Sequence, residues 1–406
     1  MSASLEGIMV LDLTRILAGP WCTQILADLG AEVIKVEKPG VGDDTRHWGP
    51  PWVVAQSGER ADSAYYTAAN RNKKSVSVDI STERGQELVR ALALRADVLV
   101  ENYKVGDLAR YGLGQEQLRA LNPQLIYCSI TGYGQDGPYA QRPGYDFVFQ
   151  GEGGLMSVTG ERDDKLGGGP QKVGVAVTDL TTGLYASIAV LAALNHRHRT
   201  QRGQYIDMAL LDCITALGAN HAATYLITGG VPKRYGNAHA VMVPYQVFRT
   251  ADGYIIVAAG NDAQWQRFCA AIDRHDLGAD PSYATVAGRV TGRSVLIPQI
   301  EATMAVKPSD WWLQRLHEHE VPSGRINDYS QVFAHPQVLH RGVRVEVPDS
   351  RGGTMPVVAS PIRLSDSPVR YRNAPPQLGE HTRDVLSRIL GLNTDEIDRL
   401  QRDRVI

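Results

Sequence analysis

Between residue 8 and about residue 135 the chain alternates two hydrophobic periods. Short apolar runs rich in β-branched residues, IMVLDL, EVIKVEK, KSVSVDI, DVLVEN and LIYCSITGYG, are separated by stretches of helical spacing at 18–29, 82–95 and 114–121. Strands alternating with helices predict a parallel sheet and an α/β fold. Residues 134–175 carry Gly and Pro with little periodicity, which predicts an extended segment crossing the surface. The stretch VAVTDLTTGLYASIAVLAALNHRHRTQRGQ then reads as one long helix. Leu180, Leu184, Ile188, Leu191 and Ala192 recur on one side and Val190 and Leu194 on the other, so the helix is expected to be buried. It stops at the basic run His196–Arg199, with Gly203 beyond.

YIDMALLD predicts a strand running into a helix that lasts to about Ile227. After it the texture changes. VPYQVFRTADGYIIVAAG predicts two strands joined by an Asp-Gly turn, followed by amphipathic helices at 263–273 and 309–319, together a smaller α+β unit. Residues 320–406 return to Pro-punctuated strands and end in two helices, LGEHTRDVLSRIL and TDEIDRLQRDRVI. The implied division is a large domain from 1–222 and 321–406, built from both chain ends, and a small one from 223–320.

Composition narrows the function classes. The chain has 406 residues, 43% hydrophobic and 21% charged, with a formal net charge of −2, which gives no general argument for nucleic-acid or membrane binding. The apolar run Leu184 to Leu194 is too short to span a bilayer. Glu6 and Asp12 break up the N-terminal apolar residues, so no secretory signal is expected there. Cys22, Cys128, Cys213 and Cys269 are scattered without metal-type spacing, which predicts reduced thiols, a cytoplasmic location and no metal site.

The carboxylate of Asp179 opens the long helix. A carboxylate there is either a helix cap worth about 1 kcal/mol or a nucleophile held ionised by the N-terminal field. Gly132-Tyr-Gly134-Gln-Asp-Gly137 formally matches a dinucleotide fingerprint, but Pro138 follows at once and a loop is expected instead. Lys35, Lys38, the Asn70–Lys74 run, Asn102, Lys104 and Arg110 are read as clusters after strand ends. Gathered at one sheet edge they would suit a phosphorylated nucleotide. Tyr145 can donate to a substrate oxygen, and a local turn contact is the simpler role for Asp146. His239 lies in a loop with no partner at motif spacing. No GxSxG, P-loop or HExxH occurs.

LDLTRILAGPWCTQILADLGAEVIKVEKPGVGDDTR at 11–46, NRNKKSVSVD at 70–79, VENYKVGDLARYG at 100–112, PGYDFVFQGEGGLMSVTG at 143–160 and DLTTGLYASIAVLAALNHRHRTQRGQ at 179–204, followed by GNAH and LGEHT, resemble the class III CoA-transferases. This family includes formyl-CoA transferases, carnitine CoA-transferases and α-methylacyl-CoA racemases. The resemblance implies a Rossmann-like large domain, an interlocked homodimer and coenzyme A as substrate, with no metal, nicotinamide or flavin. It makes Asp179 the nucleophile. It places CoA on Ile16, Leu17, Lys38, Asn70, Arg71, Asn72, Lys73, Asn102, Lys104 and Arg110, with Arg142 and Tyr145 near the thiol and the acyl group. Lys38 stands where relatives often have Arg, keeping the charge without the bidentate fork.

Two departures sharpen the reading. Racemases of this family carry His in the Gly-His-Asp that matches Gly144-Tyr145-Asp146, and a tyrosine there speaks against α-proton exchange. Formyl-CoA transferases carry a glycine run after GNA, whereas this chain reads GNAHAVMVPYQ. The texture is closer to the dicarboxylate branch, similar to succinate-hydroxymethylglutarate CoA-transferase, with Arg325 or His239 as receiver of a distal carboxylate. The alternatives are an α-methylacyl-CoA racemase and a non-catalytic CoA-binding protein.

Overall fold

The computed structural model, described for residues 2–54, 58 and 60–406, gathers the β-rich runs into one parallel sheet. Its strands are β1 (Met9–Asp12), β2 (Glu32–Glu37), β3 (Lys73–Ser77), β4 (Val98–Glu101), β5 (Ile126–Thr131) and β6 (Tyr205–Ala209). They lie in the order β3-β2-β1-β4-β5-β6 with every neighbouring pair parallel. Successive strand residues face opposite sides, so Leu11, Ile34, Val76 and Leu99 join one apolar cluster while Val10, Val33, Val98 and Val100 join another. Burial on both faces explains the near-continuous apolar runs in sequence.

Helices α1 (Ala18–Asp28), α2 (Glu83–Ala93), α3 (Asp146–Glu152), α4 (Val177–Thr200) and α5 (Leu210–Leu217) cover the sheet with two C-terminal helices, Thr382–Leu390 and Thr394–Arg402. α2 and the C-terminal pair share one cluster, and α1, α4 and α5 share the other. The LGEHT segment closes the sheet's β3 edge. The His381 N–H donates to Ser75 O (2.9 Å), and Thr382 Oγ1 accepts the Ser77 N–H (3.0 Å).

Two expectations fail here. Residues 134–175 are not simply extended, because α3 forms inside them. The long helix is also not buried on both sides, as its apolar residues predicted, but on one face. Thr182, Gly183, Ala186, Ser187, Val190 and Ala193 are buried, while Leu184 and Ile188 are 49% and 60% exposed. The reason is close packing on α1: a Cβ at Gly183 would stand 2.6 Å from Ala18 O and 3.1 Å from Trp21 Cβ. Small residues let the two helices approach, and the large ones are left outward. The whole helix runs 24 residues with a mean hydropathy of 1.5 over 18 of them, so by length and composition it is long and apolar enough to cross a membrane, which the shorter run Leu184 to Leu194 is not.

The chain divides into two units, the first made of Met1–Leu155, Val173–Gly229 and Leu339–Ile406, the second of Met156–Lys172 and Gly230–Val338. The second holds an antiparallel sheet of β7 (Tyr245–Arg249), β8 (Tyr254–Ala258) and β9 (Ser323–Arg325), in the order β9-β8-β7. Helices pack on it around Trp265, Phe268, Ile300 and Trp312.

Candidate active site

The strand order reverses between β1 and β4, since the chain runs outward from β1 through β2 to β3 and then returns to lay β4 on the other side of β1. Loops leaving the C-terminal ends of two such strands part and open a crevice. A groove lies there, lined by Ile16 and Leu17 after β1, Asn102 and Lys104 after β4, Gly132 after β5, and Arg142, Tyr145 and Asp179. It adjoins a second cavity along the ends of β2 and β3, which shares Arg15, Asp44 and Tyr103 with it and adds Lys38 and Val78, Asp79, Ile80 and Ser81.

The loop after β1 is held from three sides. Asn102 Oδ1 accepts the Arg15 N–H (2.9 Å) and its Nδ2 donates to Arg15 O (2.7 Å). Lys35 Nζ donates to Thr14 O (2.7 Å) and to Asp43 Oδ2 (2.9 Å), and Asp43 Oδ1 accepts the Ile16 N–H (3.2 Å). Ile16 has φ 72°, a left-handed conformation that a β-branched residue adopts only when its surroundings impose it.

Asp179 is the third residue of α4 and its side chain caps nothing. The cap comes from α3. Asp146 Oδ1 accepts the N–H groups of Thr178 (2.7 Å) and Asp179 (3.4 Å), so the residue expected to make a turn contact neutralises the helix end instead. Burial of Asp179, 8% exposed, raises its carboxyl from the usual range, and the neighbouring Asp146 charge raises it further, to about 7. Burial and the like charge of Asp146 thus work against the helix field that was expected to favour the ionised form. Burial, then the charges of Asp179 and Asp146, also push the Tyr65 phenol up to about 12.

The structure brings Ile16, Leu17, Asn102, Lys104, Arg142, Tyr145 and Asp179 together along one groove and puts Lys38 in the adjoining cavity. It does not bring Asn70, Arg71, Asn72 and Lys73 there. A parallel strand presents its two ends at opposite sheet edges, and this segment leads into β3, whereas the cavity lies where β3 ends, at Val78–Ser81. All four side chains are buried in internal work: Lys73 Nζ donates to Asp12 Oδ2 (3.1 Å), Asn70 Oδ1 (2.9 Å) and Pro20 O (2.9 Å), Arg71 forks onto Asp28, and Asn72 Nδ2 donates to Asp28 Oδ1 (2.8 Å). Arg110 lies on the exposed side of a short helix, paired with Asp107, and lines neither cavity. His239 and Arg325 belong to the second unit, where His239 Nδ1 accepts the Val241 N–H (3.1 Å) and Arg325 is ion-paired with Asp310.

Sequence reasoning passed over Arg15, which lines both cavities beside Asp44 (3.6 Å) and the Tyr103 ring (5.1 Å), and Asp43, which fixes Ile16. The DDTR run at 43–46 belonged to a quoted motif, but only its folding onto β2 reveals that use.

Comparison with known proteins gives a consistent answer. A family model described as CoA-transferase family III matches residues 5–382. The chain is 49% identical over 390 residues to a succinate–glutarate CoA-transferase of Agrobacterium fabrum, covering 95% of each. It is 44% identical to a human succinyl-CoA:glutarate CoA-transferase, covering 98% of this chain and 88% of that one. Among solved structures, a CAIB/BAIF family protein from Brucella suis superposes with a TM-score of 0.85 at 47% identity, covering 96% of this chain and 100% of the other.

Proposed function

The chain belongs to CoA-transferase family III, and we propose that it moves CoA from succinyl-CoA or another dicarboxylyl-CoA to a free dicarboxylic acid, with Asp179 as nucleophile. One observation carries the assignment of Asp179: a buried carboxylate, freed from capping, at the wall of a groove that opens at the sheet's switch point and continues past cations toward Lys38. The adenine nucleotide of CoA would lie along the ends of β2 and β3, near Lys38 and Val78–Ser81, with Arg15 and Lys104 toward its phosphates. The pantetheine arm would follow the groove to Asp179.

In that pose the Asp179 carboxylate attacks the thioester carbonyl, forming an acyl-aspartyl anhydride and expelling CoA thiolate. The thiolate attacks the aspartyl carbonyl, releasing the donor acid and leaving CoA on Asp179 as a thioester. The acceptor carboxylate attacks that carbonyl and expels the thiolate, which finally takes the acyl group and frees Asp179. Each step exchanges one acyl bond for another, so no net proton or electron is needed. A carboxyl with its pKa near 7 is more nucleophilic when ionised than an ordinary carboxylate, while the like charge of Asp146 favours converting it to a neutral acyl derivative.

This predicts a pH profile. Asp179 must be ionised to attack, so kcat/KM falls as pH drops through about 7. Asp146→Asn keeps an acceptor oxygen for the helix end and removes the charge, and the acid limb should move down by about one pH unit. Initial rates from pH 5 to 9 for both forms decide it; an unmoved limb would detach Asp146 from the titration.

The activity itself is tested by incubating the protein with succinyl-CoA and a panel of mono- and dicarboxylic acids, with new thioesters read by mass spectrometry. Glutaryl-CoA and close dicarboxylyl-CoA products are expected. Solvent deuterium entering the α-carbon of a 2-methylacyl-CoA without any acid would instead favour racemisation.

We also propose an interlocked homodimer in the cytoplasm. The outward Leu184 and Ile188 of α4, with Phe147, Leu226 and Ile227 in the same unit, are large apolar side chains that a second copy could cover. All four cysteines are free and buried, in keeping with a reducing compartment.

A further inference from the structure

A dicarboxylate differs from a monocarboxylate only at its far end, so an enzyme that prefers it needs a cation on the acyl side of the nucleophile. The cations of the groove sort by the neighbours they keep. Arg15 is shared with the cavity at the ends of β2 and β3 and leans on Asp44 and Tyr103, which are shared as well. Lys104 is shared with another cavity, beside Glu101 and Gln117. Both thus also line a cavity that Asp179 does not line. Arg142 lines the groove alone among these three cavities, on the segment that runs through Tyr145 to Asp146, whose carboxylate is bonded to the α4 end that carries Asp179.

The guanidinium of Arg142 is also prepared for such a task. It lies over the Tyr139 ring, 3.6 Å from the centroid, and the backbone N–H of Arg142 donates to Tyr139 O (2.8 Å). Stacking fixes the plane of the fork and leaves its edge donors for an acceptor. Among the described residues no carboxylate forms an ion pair with it. Arg325, the other arginine considered for this role, already holds Asp310.

We infer that Arg142 is the specificity-determining residue of the acyl pocket, receiving the distal carboxylate of the dicarboxylyl group in a bidentate pair. The inference rests on the dicarboxylate-transfer reading above. It goes beyond the resemblance, which placed Arg142 near the thiol and the acyl group without giving it a part in substrate choice.

The test compares glutarate with its monoamide as acceptors, since the two match in size and differ in the distal charge. For each, kcat/KM is measured with succinyl-CoA as donor in wild type, Arg142→Gln and Arg142→Lys. Wild type should prefer glutarate, and Arg142→Gln should shrink that preference on the order of 30-fold, the size expected for one charge-assisted pair. Arg142→Lys should keep an intermediate preference, because the charge stays and the fork is lost. Equal losses on both acceptors, with the ratio unmoved, would overturn the inference and return Arg142 to CoA binding. Thermal unfolding of each variant checks that it is folded, and a misfolded Arg142→Gln leaves the Lys variant to decide through the same ratio. If wild type moves CoA to neither acid nor to any other dicarboxylate, the transfer reading itself has failed, an outcome visible before any variant is made.

Discussion

Asp179→Asn is expected to lose turnover by on the order of 10⁴-fold or more while becoming more stable than the wild type. The two halves of that result separate a nucleophile from a cap. A capping carboxylate contributes about 1 kcal/mol that asparagine largely preserves and alanine removes. Asp179 instead carries a carboxyl raised from 3.8 to about 7 by burial and by Asp146. For such a group the folded state binds more protons than the unfolded state between these two values, so stability falls as pH rises through that window and stays lower above it. Removing the charge removes the fall. Urea titrations at pH 5 and pH 8 should therefore show the variant's gain, roughly a few kcal/mol at most, growing with pH. A variant destabilised equally at both pH values would mean that Asp179 serves the helix.

The second large effect is on stability alone. Asp12 ends β1 and is fully buried, accepting from Thr14 N (2.9 Å), Thr23 Oγ1 (2.6 Å) and Lys73 Nζ (3.1 Å). Burial would raise its pKa, but the ammonium groups of Lys73 and Lys35 outweigh it and hold the carboxyl at about 2. Burial likewise draws Lys73 down, to about 8, against the pull of Asp12. Asp12→Ala leaves the Lys73 ammonium buried without its carboxylate partner, takes a countercharge from the neighbourhood of Lys35 and frees the turn at Thr14 beneath the groove. The expected loss is about 3–5 kcal/mol, read from urea unfolding. The double variant Asp12→Leu with Lys73→Met should recover a good part of it, because an apolar pair of similar volume replaces an ion pair at little cost. A single variant within about 0.5 kcal/mol of wild type would contradict the network.

The parallel α/β character was legible because burial on both faces leaves its mark in the central strands, as in VLVE at 98–101. Strand order was not, since it depends on which neighbours pair, and that order creates the groove. The error at Asn70–Lys73 has another origin. The run was grouped with residues that follow strands although it precedes KSVSVDI and so enters the sheet at the end away from the cavity, and its charges face Asp12 and Asp28 inside the protein. Which face of α4 is buried was not legible for a related reason: hydrophobicity ranks leucine above glycine and alanine, but helix-to-helix distance is set by the smallest side chains at the contact, here Gly183 and Ala186. Asp179 was legible as an acidic residue at a helix start. That Asp146, 33 positions earlier, supplies the cap and the charge was not, because nothing local links α3 to the end of α4.

Hydroxylamine trapping during turnover bears most directly on Asp179. Protein mixed with succinyl-CoA and treated with neutral hydroxylamine should yield a hydroxamate on the peptide containing residue 179, located by fragmentation and absent without the acyl-CoA. Turnover that proceeds while every trapped hydroxamate lies elsewhere, or while none forms, would contradict the covalent role assigned to this carboxylate.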